Sequence, residues 1–115
     1  MREIRKFAAQ GDCMFRRVAK IPMDAVEVPR AGPIVVAHSE TGHHHAIDAI
    51  DVSHFEQPGN SLVCYLRMDG APFEVVHHRA WDTHEPLRLL GSPGTIWEVR
   101  RQREWSPEGW RRVED

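Results

Sequence analysis

The sequence predicts an all-β fold, a small barrel or sandwich, and three observations carry that expectation. Apolar and β-branched residues fall in short runs of strand length, Gly/Pro turns separate those runs, and no ten-residue stretch holds a convincing helical period. At 115 residues, with 41% hydrophobic and 28% charged residues and a mean hydropathy of -0.51, the chain reads as one soluble domain, 1–115, able to build a core without disulfides.

The first dozen residues show no clear period, and Gln10-Gly11-Asp12 reads as a turn leading into a strand from Cys13 to Val18. Ile21-Pro22 and Val28-Pro29 each push the residue before proline toward extended geometry, and Ala31-Gly32-Pro33 breaks the chain again, so a long helix is excluded here. Ile34 to Ala37 is continuous, apolar and β-branched, which predicts a strand covered on both faces. Ala46 to Val52 is read as extended, with Ile50 and Val52 on the face of His54.

Gln57-Pro58-Gly59-Asn60 is a turn, and Ser61 to Met68 is the next strand, centred on Leu62 to Leu66. Asp69-Gly70 is the best hairpin signal in the chain and predicts that this strand pairs antiparallel with Phe73 to His77. After Leu87-Arg88-Leu89-Leu90, the turn Gly91-Ser92-Pro93-Gly94 opens a run from Thr95 to Trp105, whose Ile96 to Gln102 stretch is a strand. Alternation along that run puts Trp97, Val99, Arg101, Arg103 and Trp105 on one face, and Ile96, Glu98, Arg100, Gln102 and Glu104 on the other. About seven or eight strands result, with a core expected from Val35, Ile47, Val63, Tyr65, Val75, Leu89, Ile96 or Trp97, and Val99.

No apolar run approaches the ~20 residues that span a bilayer, which gives no membrane partner, and the basic Met1-Arg2-Glu3-Ile4-Arg5-Lys6 lacks the apolar stretch of a signal peptide, so the expected location is cytoplasmic. Cys13 and Cys64 are too far apart in sequence for a CxxC site and are expected to be packing thiols. A formal charge of -2 supplies no global attraction to nucleic acid.

The chemistry-bearing stretch is Glu40-Thr41-Gly42-His43-His44-His45-Ala46-Ile47-Asp48. In an extended chain His43 and His45 share a face and His44 takes the other, so two imidazoles two residues apart can grip one metal ion. An open catalytic site needs about three protein ligands, and the others are sought in Val75-Val76-His77-His78-Arg79-Ala80-Trp81-Asp82-Thr83-His84. The expected ligands are His43, His45, His78 and His84; His77 and His78 alternate in direction, so at most one of them faces the ion. Glu40, Asp48 and Asp82 are the carboxylates that could add a ligand, orient an imidazole or act as a base on bound water. Zinc, nickel, iron and manganese are not distinguished. The plain alternative is that a strand histidine is a half-buried polar residue with a satisfied hydrogen bond.

The Gly-His-x-His stretch, a later histidine and a Pro-Gly turn before a strand resemble the parts of a cupin, a double-stranded β-helix that holds a metal in its mouth. Cupins place a glutamate shortly after the His-x-His pair and a histidine after the Pro-x-Gly turn; here Asp48 is the nearest acid and no histidine follows Gly94. A closer resemblance spans nearly the whole chain. Gln10-Gly11-Asp12, Thr41-Gly42-His43-His44-His45, His84-Glu85-Pro86, Pro93-Gly94-Thr95, Gln102-Arg103-Glu104-Trp105 and Arg111-Arg112-Val113-Glu114-Asp115 are similar to a group of short bacterial and phage proteins to which no activity is attached.

A second expectation is a non-catalytic assembly module, a homo-oligomer or a binder of a protein partner. Tryptophan and arginine are enriched in interface hot spots, and Trp105, Trp110, Arg101 and Arg103 are the expected interaction surface. Contact with nucleic acid through Arg100, Arg101, Arg103, Arg111 and Arg112 is the weaker variant, because Glu98, Glu104, Glu108, Glu114 and Asp115 in the same segment repel phosphate. Ser39, Ser53 and Ser92 lack a nucleophile-elbow context, and Gly91-Ser92-Pro93-Gly94 lacks the lysine of a phosphate loop, so no nucleotide cofactor is expected.

Overall fold

The computed structural model describes residues 2–10, 13–30, 32–38, 44–78, 86–101, 103–106 and 109–112, and at 37–38, 44, 77–78, 103–106 and 109–112 it describes the backbone alone. Among the described residues there are thirteen strands and no helix. One sheet joins β1 (Arg2–Ile4), β10 (Leu87–Leu89), β9 (Phe73–His78), β6 (His44–Ile47) and β5 (Ile34–His38) in that order. The other runs β2 (Phe7–Gln10), β3 (Cys13–Val18), β11 (Ile96–Arg101), β8 (Val63–Met68), β7 (Val52–Glu56) and β4 (Val26–Val28). β12 (Arg103–Ser106) and β13 (Gly109–Arg112) form a separate hairpin. Among the described residues all pairings are antiparallel except β1 with β10.

The core lies between the two larger sheets. Ile34, Val36, Ile47, Phe73, Val75, Leu87 and Leu89 from one meet Cys13, Phe15, Val52, Cys64, Leu66, Met68, Trp97 and Val99 from the other in a single buried cluster. Strand alternation explains the membership, since inward positions repeat every second residue. Trp97, the largest fully buried side chain, fills the core as expected. Val63 and Tyr65 are buried too, but on the opposite face of β8 from Cys64 and Leu66 and outside that cluster.

Several expectations are corrected. Val35 is only half-buried; in β5 the inward residues are Ile34 and Val36, and the ladder shifts register between Val35 and Ala37. Ile50 is 86% exposed in the bend between β6 and β7, so it does not share a face with the buried Val52. The patternless first dozen residues hold β1 and β2, with Ile4, Ala8 and Gln10 buried.

Asp69-Gly70 does not close a hairpin: β8 and β9 sit in different sheets, and the turn carries the chain across the core. Neither residue has the positive φ that the tight hairpin turn requires. Glycine is needed there because a Cβ at position 70 would lie 2.8 Å from the Asp51 side chain, next to the bond from the Asp69 amide to the Asp51 carbonyl. The two proline–glycine turns behave as expected. Asn60 N donates to Gln57 O and Thr95 N to Ser92 O, with φ of 77° at Gly59 and 96° at Gly94, the geometry of a type II turn with proline before glycine.

Candidate functional site

β5, β6 and β9 are neighbours, and each carries histidine at the same end: His38 closes β5, His44 and His45 open β6, and His77 and His78 close β9. The antiparallel register sorts them into two rows. His44 stands opposite both His38 and His78, and His45 stands opposite Ala37 and His77. His43, His84, Glu40 and Asp82 lie outside the described residues, and Asp48 is exposed just beyond β6. Among the described residues no group of three or more His, Cys, Asp or Glu is placed to hold a metal ion.

His45 is 1% exposed, on the inward face of β6 with Ile47. Its Nδ1 lies 2.9 Å from Oε1 of Gln10, and Nε2 of Gln10 donates to the Val75 carbonyl at 3.0 Å. These two bonds fix the chemistry of the ring. A carbonyl only accepts, so the Gln10 nitrogen must face Val75 and the Gln10 oxygen must face His45; an amide oxygen also only accepts, so the hydrogen sits on Nδ1. In the neutral ring Nε2 then carries the lone pair. Gln10 belongs to β2 and His45 and Val75 to the opposite sheet, so one side chain ties the sheets together. The sequence reads Gln10 as the start of a turn and not as a site residue, whereas it ends β2 and is buried; its signal is the alternation Ile4, Ala8, Gln10 of buried positions, too short to stand out among charged neighbours.

A second feature is a cleft of about 820 Å³ at the β7–β8 turn, lined by His54, Glu56, Cys64, Arg101, Val36 and Asn60. Burial lowers the pKa of His54; the charge of Arg30 pushes the same way and Glu56 opposes it. Burial, helped by Glu56, pushes the Cys64 thiol up to about 12, so it is no nucleophile at neutral pH. Both cysteines are free and buried, as expected of packing thiols.

On the expected interaction surface, Arg101 is half-buried at the end of β11, while register places Trp105 opposite Trp110 and Arg103 opposite Arg112 in the β12–β13 hairpin. Glu98, on the face of β11 opposite Trp97 and Val99, is buried at 4%. It accepts from Arg16 Nη2 at 3.2 Å and from Arg100 Nε at 2.6 Å, with Arg16 and Tyr65 as its cross-strand neighbours. No described helix is long and apolar enough to cross a membrane.

No curated protein and no solved structure matches the chain. A family model described as Domain of unknown function (DUF8820) matches residues 9–102, a span that takes in Gln10, both histidine-bearing segments and all of β11, and stops short of the tryptophan hairpin. On that match, the chain belongs to the DUF8820 family.

Proposed function

We propose that this β protein binds a divalent transition metal through the histidines gathered where β5, β6 and β9 end together. The observation that carries this reading is the register: five histidines, at positions 38, 44, 45, 77 and 78, occupy two adjacent rows on three neighbouring strands. His43 and His84, in the segments that follow β5 and β9 in sequence, are further ligands, with Glu40, Asp48 and Asp82 as carboxylates that orient or deprotonate. Imidazole donors suit zinc, nickel, copper or iron and disfavour calcium and magnesium. Three protein ligands and an open position would lower the pKa of a bound water and support hydrolytic chemistry; four would make the metal structural. The likeness to cupin barrels supports the same reading and is part of the proposal.

Elemental analysis and calorimetric titration of untagged protein test it. One metal per chain, lost on His45→Ala, is the expected result; no stoichiometric metal in the wild type overturns it. Because protonated imidazole does not coordinate, affinity should fall as pH drops through about 6.5.

The second reading is an assembly module in the cytoplasm, self-associating or holding a protein or single-stranded nucleic acid, and the cross-strand pairs Trp105–Trp110 and Arg103–Arg112 favour it. A dimer in sizing experiments that dissociates on Trp105→Ala/Trp110→Ala, with metal binding unchanged, would support it.

A further inference from the structure

We propose that the end of the sandwich away from the histidines carries a separate site, which takes the phosphoryl group of a small organic phosphate on Arg5, Lys6 and Arg17. These three residues line a cavity of about 580 Å³ together with Pro72, Leu90 and Gly91. The site is independent of the proposed metal.

Strand register places the three cations. Arg5 and Lys6 join β1 to β2 and so carry the chain from one sheet to the other. Arg17 N donates to Lys6 O at 2.9 Å and Leu90 N to Ile4 O at 2.9 Å, so the backbone that frames the cavity is held by the fold itself, which lowers the ordering cost of binding. On β3 the inward series is Cys13 and Phe15, neither with any exposed surface, and Arg17 is the next inward position, opposite the buried Trp97. A guanidinium therefore stands where the alternation calls for an apolar side chain. Its Nη2 donates to Thr95 Oγ1 at 3.4 Å, and the Ser92 amide donates to the same oxygen at 3.1 Å. The Thr95 hydroxyl thus tethers one N–H of the fork by a long bond and does not saturate it. Gly91 is required beside this contact, because a Cβ there would lie 2.6 Å from Thr95 Oγ1.

Charge identifies the class of ligand. Arg16, Arg67, Arg88 and Arg100 each have a carboxylate within 4.0 Å. Among the described residues no acid pairs with Arg5, Lys6 or Arg17, and none lines their cavity. Like charges gathered on one concavity repel, and an anion of more than one negative charge relieves that repulsion best. A phosphomonoester carries about −1.5 to −2 at neutral pH, and its oxygens match a guanidinium fork bidentately. A carboxylate or a sulfate ester brings a single charge and leaves two cations uncompensated. Pro72 and Leu90 add an apolar wall, which suits the organic part of the ligand better than free phosphate. Side chains hold the phosphoryl group here, not a glycine-rich loop, in keeping with the lack of a phosphate-loop lysine in Gly91-Ser92-Pro93-Gly94. Thr95, which follows that turn, is the positioning residue for Arg17.

Calorimetric titration of the full chain with phenyl phosphate, inorganic phosphate, phenyl sulfate and benzoate tests this, with a chelator present so that no metal at the histidines takes the phosphate. Phenyl phosphate should bind about tenfold more tightly than any of the other three. Arg17→Gln should weaken it by about tenfold or more, and Arg5→Gln/Lys6→Gln by a similar factor. Arg88→Gln, which removes an arginine already paired with Glu3 and Glu74, should change nothing. Thr95→Val should weaken binding by about three- to tenfold through Arg17 alone, so it should add nothing to Arg17→Gln, and Thr95→Ser should bind as the wild type does. A further loss in the combined variant overturns the positioning role of Thr95. No binding of phenyl phosphate, or an equal loss from Arg88→Gln, overturns the site. Phenyl sulfate or benzoate binding as tightly overturns the phosphoryl assignment, and inorganic phosphate binding as tightly overturns the organic ligand. A single-stranded oligonucleotide that binds through the same three residues, where phenyl phosphate does not, overturns the small ligand in favour of a nucleic-acid backbone. Should Arg17→Gln not fold, amide spectra of the wild type decide instead: phenyl phosphate should shift Lys6, Arg17 and Gly91, and shifts confined to other parts of the chain overturn the proposal.

Discussion

The imidazole of His45 and the amide of Gln10 meet between the two sheets at 2.9 Å, both almost wholly removed from water. A buried donor stripped of its acceptor costs about 1–3 kcal/mol, whereas removing both partners together costs less than the two losses added. With a chelator present, Gln10→Leu should lower the unfolding free energy by about that amount, and Gln10→Leu/His45→Leu by clearly less than the sum of the single changes. Urea denaturation of the three variants checks this; additive losses would mean that the two groups act independently.

His54 makes stability depend on pH. Burial is the main cause of its lowered pKa, Arg30 adds to it and Glu56 works against it, so the unfolded chain takes up this proton before the folded one does. The stabilisation from keeping the ring neutral is complete above the unfolded value of about 6.5 and is lost as pH falls from there through the lower folded value. Replacing His54 with leucine should make the decline of stability below pH about 6.5 shallower. Thermal melts at intervals across that range give the comparison, and an unchanged slope would rule the contribution out.

The cysteines should be silent in the native state. Cys13 has no exposed surface, and Cys64, with its pKa pushed up to about 12, holds little thiolate at pH values well below that. A thiol-specific disulfide reagent at mildly alkaline pH should label neither until denaturant is added, when both react. Rapid labelling of Cys64 in folded protein would show that the cleft beside it opens to solvent.

Gly59 and Gly94 hold left-handed backbone with open space where a Cβ would stand, so alanine there is penalised by backbone strain alone. Each substitution should cost about 1–2 kcal/mol, and Gly59→Asn should cost less because asparagine tolerates this region. Gly70→Ala is destabilising for a different reason, the collision with Asp51, and Asp51→Ala/Gly70→Ala should recover part of the loss. Urea midpoints for the five variants separate the two mechanisms.

The all-β class, the strand from Cys13 to Val18, the centres of β5, β8, β9 and β11, the two proline–glycine turns and the burial of Trp97 were legible along the chain, because each depends on local dihedral preference or on a period of two. The same alternation set His45 with the inward Ile47. What a period of two does not contain is which strand lies beside which. That β8 and β9 part into different sheets at Asp69-Gly70 was decided by the competing partners β11 and β7 for one and β6 and β10 for the other. Likewise β1 and β2 became strands because Ile4, Ala8 and Gln10 found buried places against distant residues, not because their own sequence demanded it. The pairing of His45 with His77 and the hold of Gln10 on His45 belong to this second kind: 32 and 35 residues separate the partners, and only the burial of apolar faces across the whole domain sets a register over such distances.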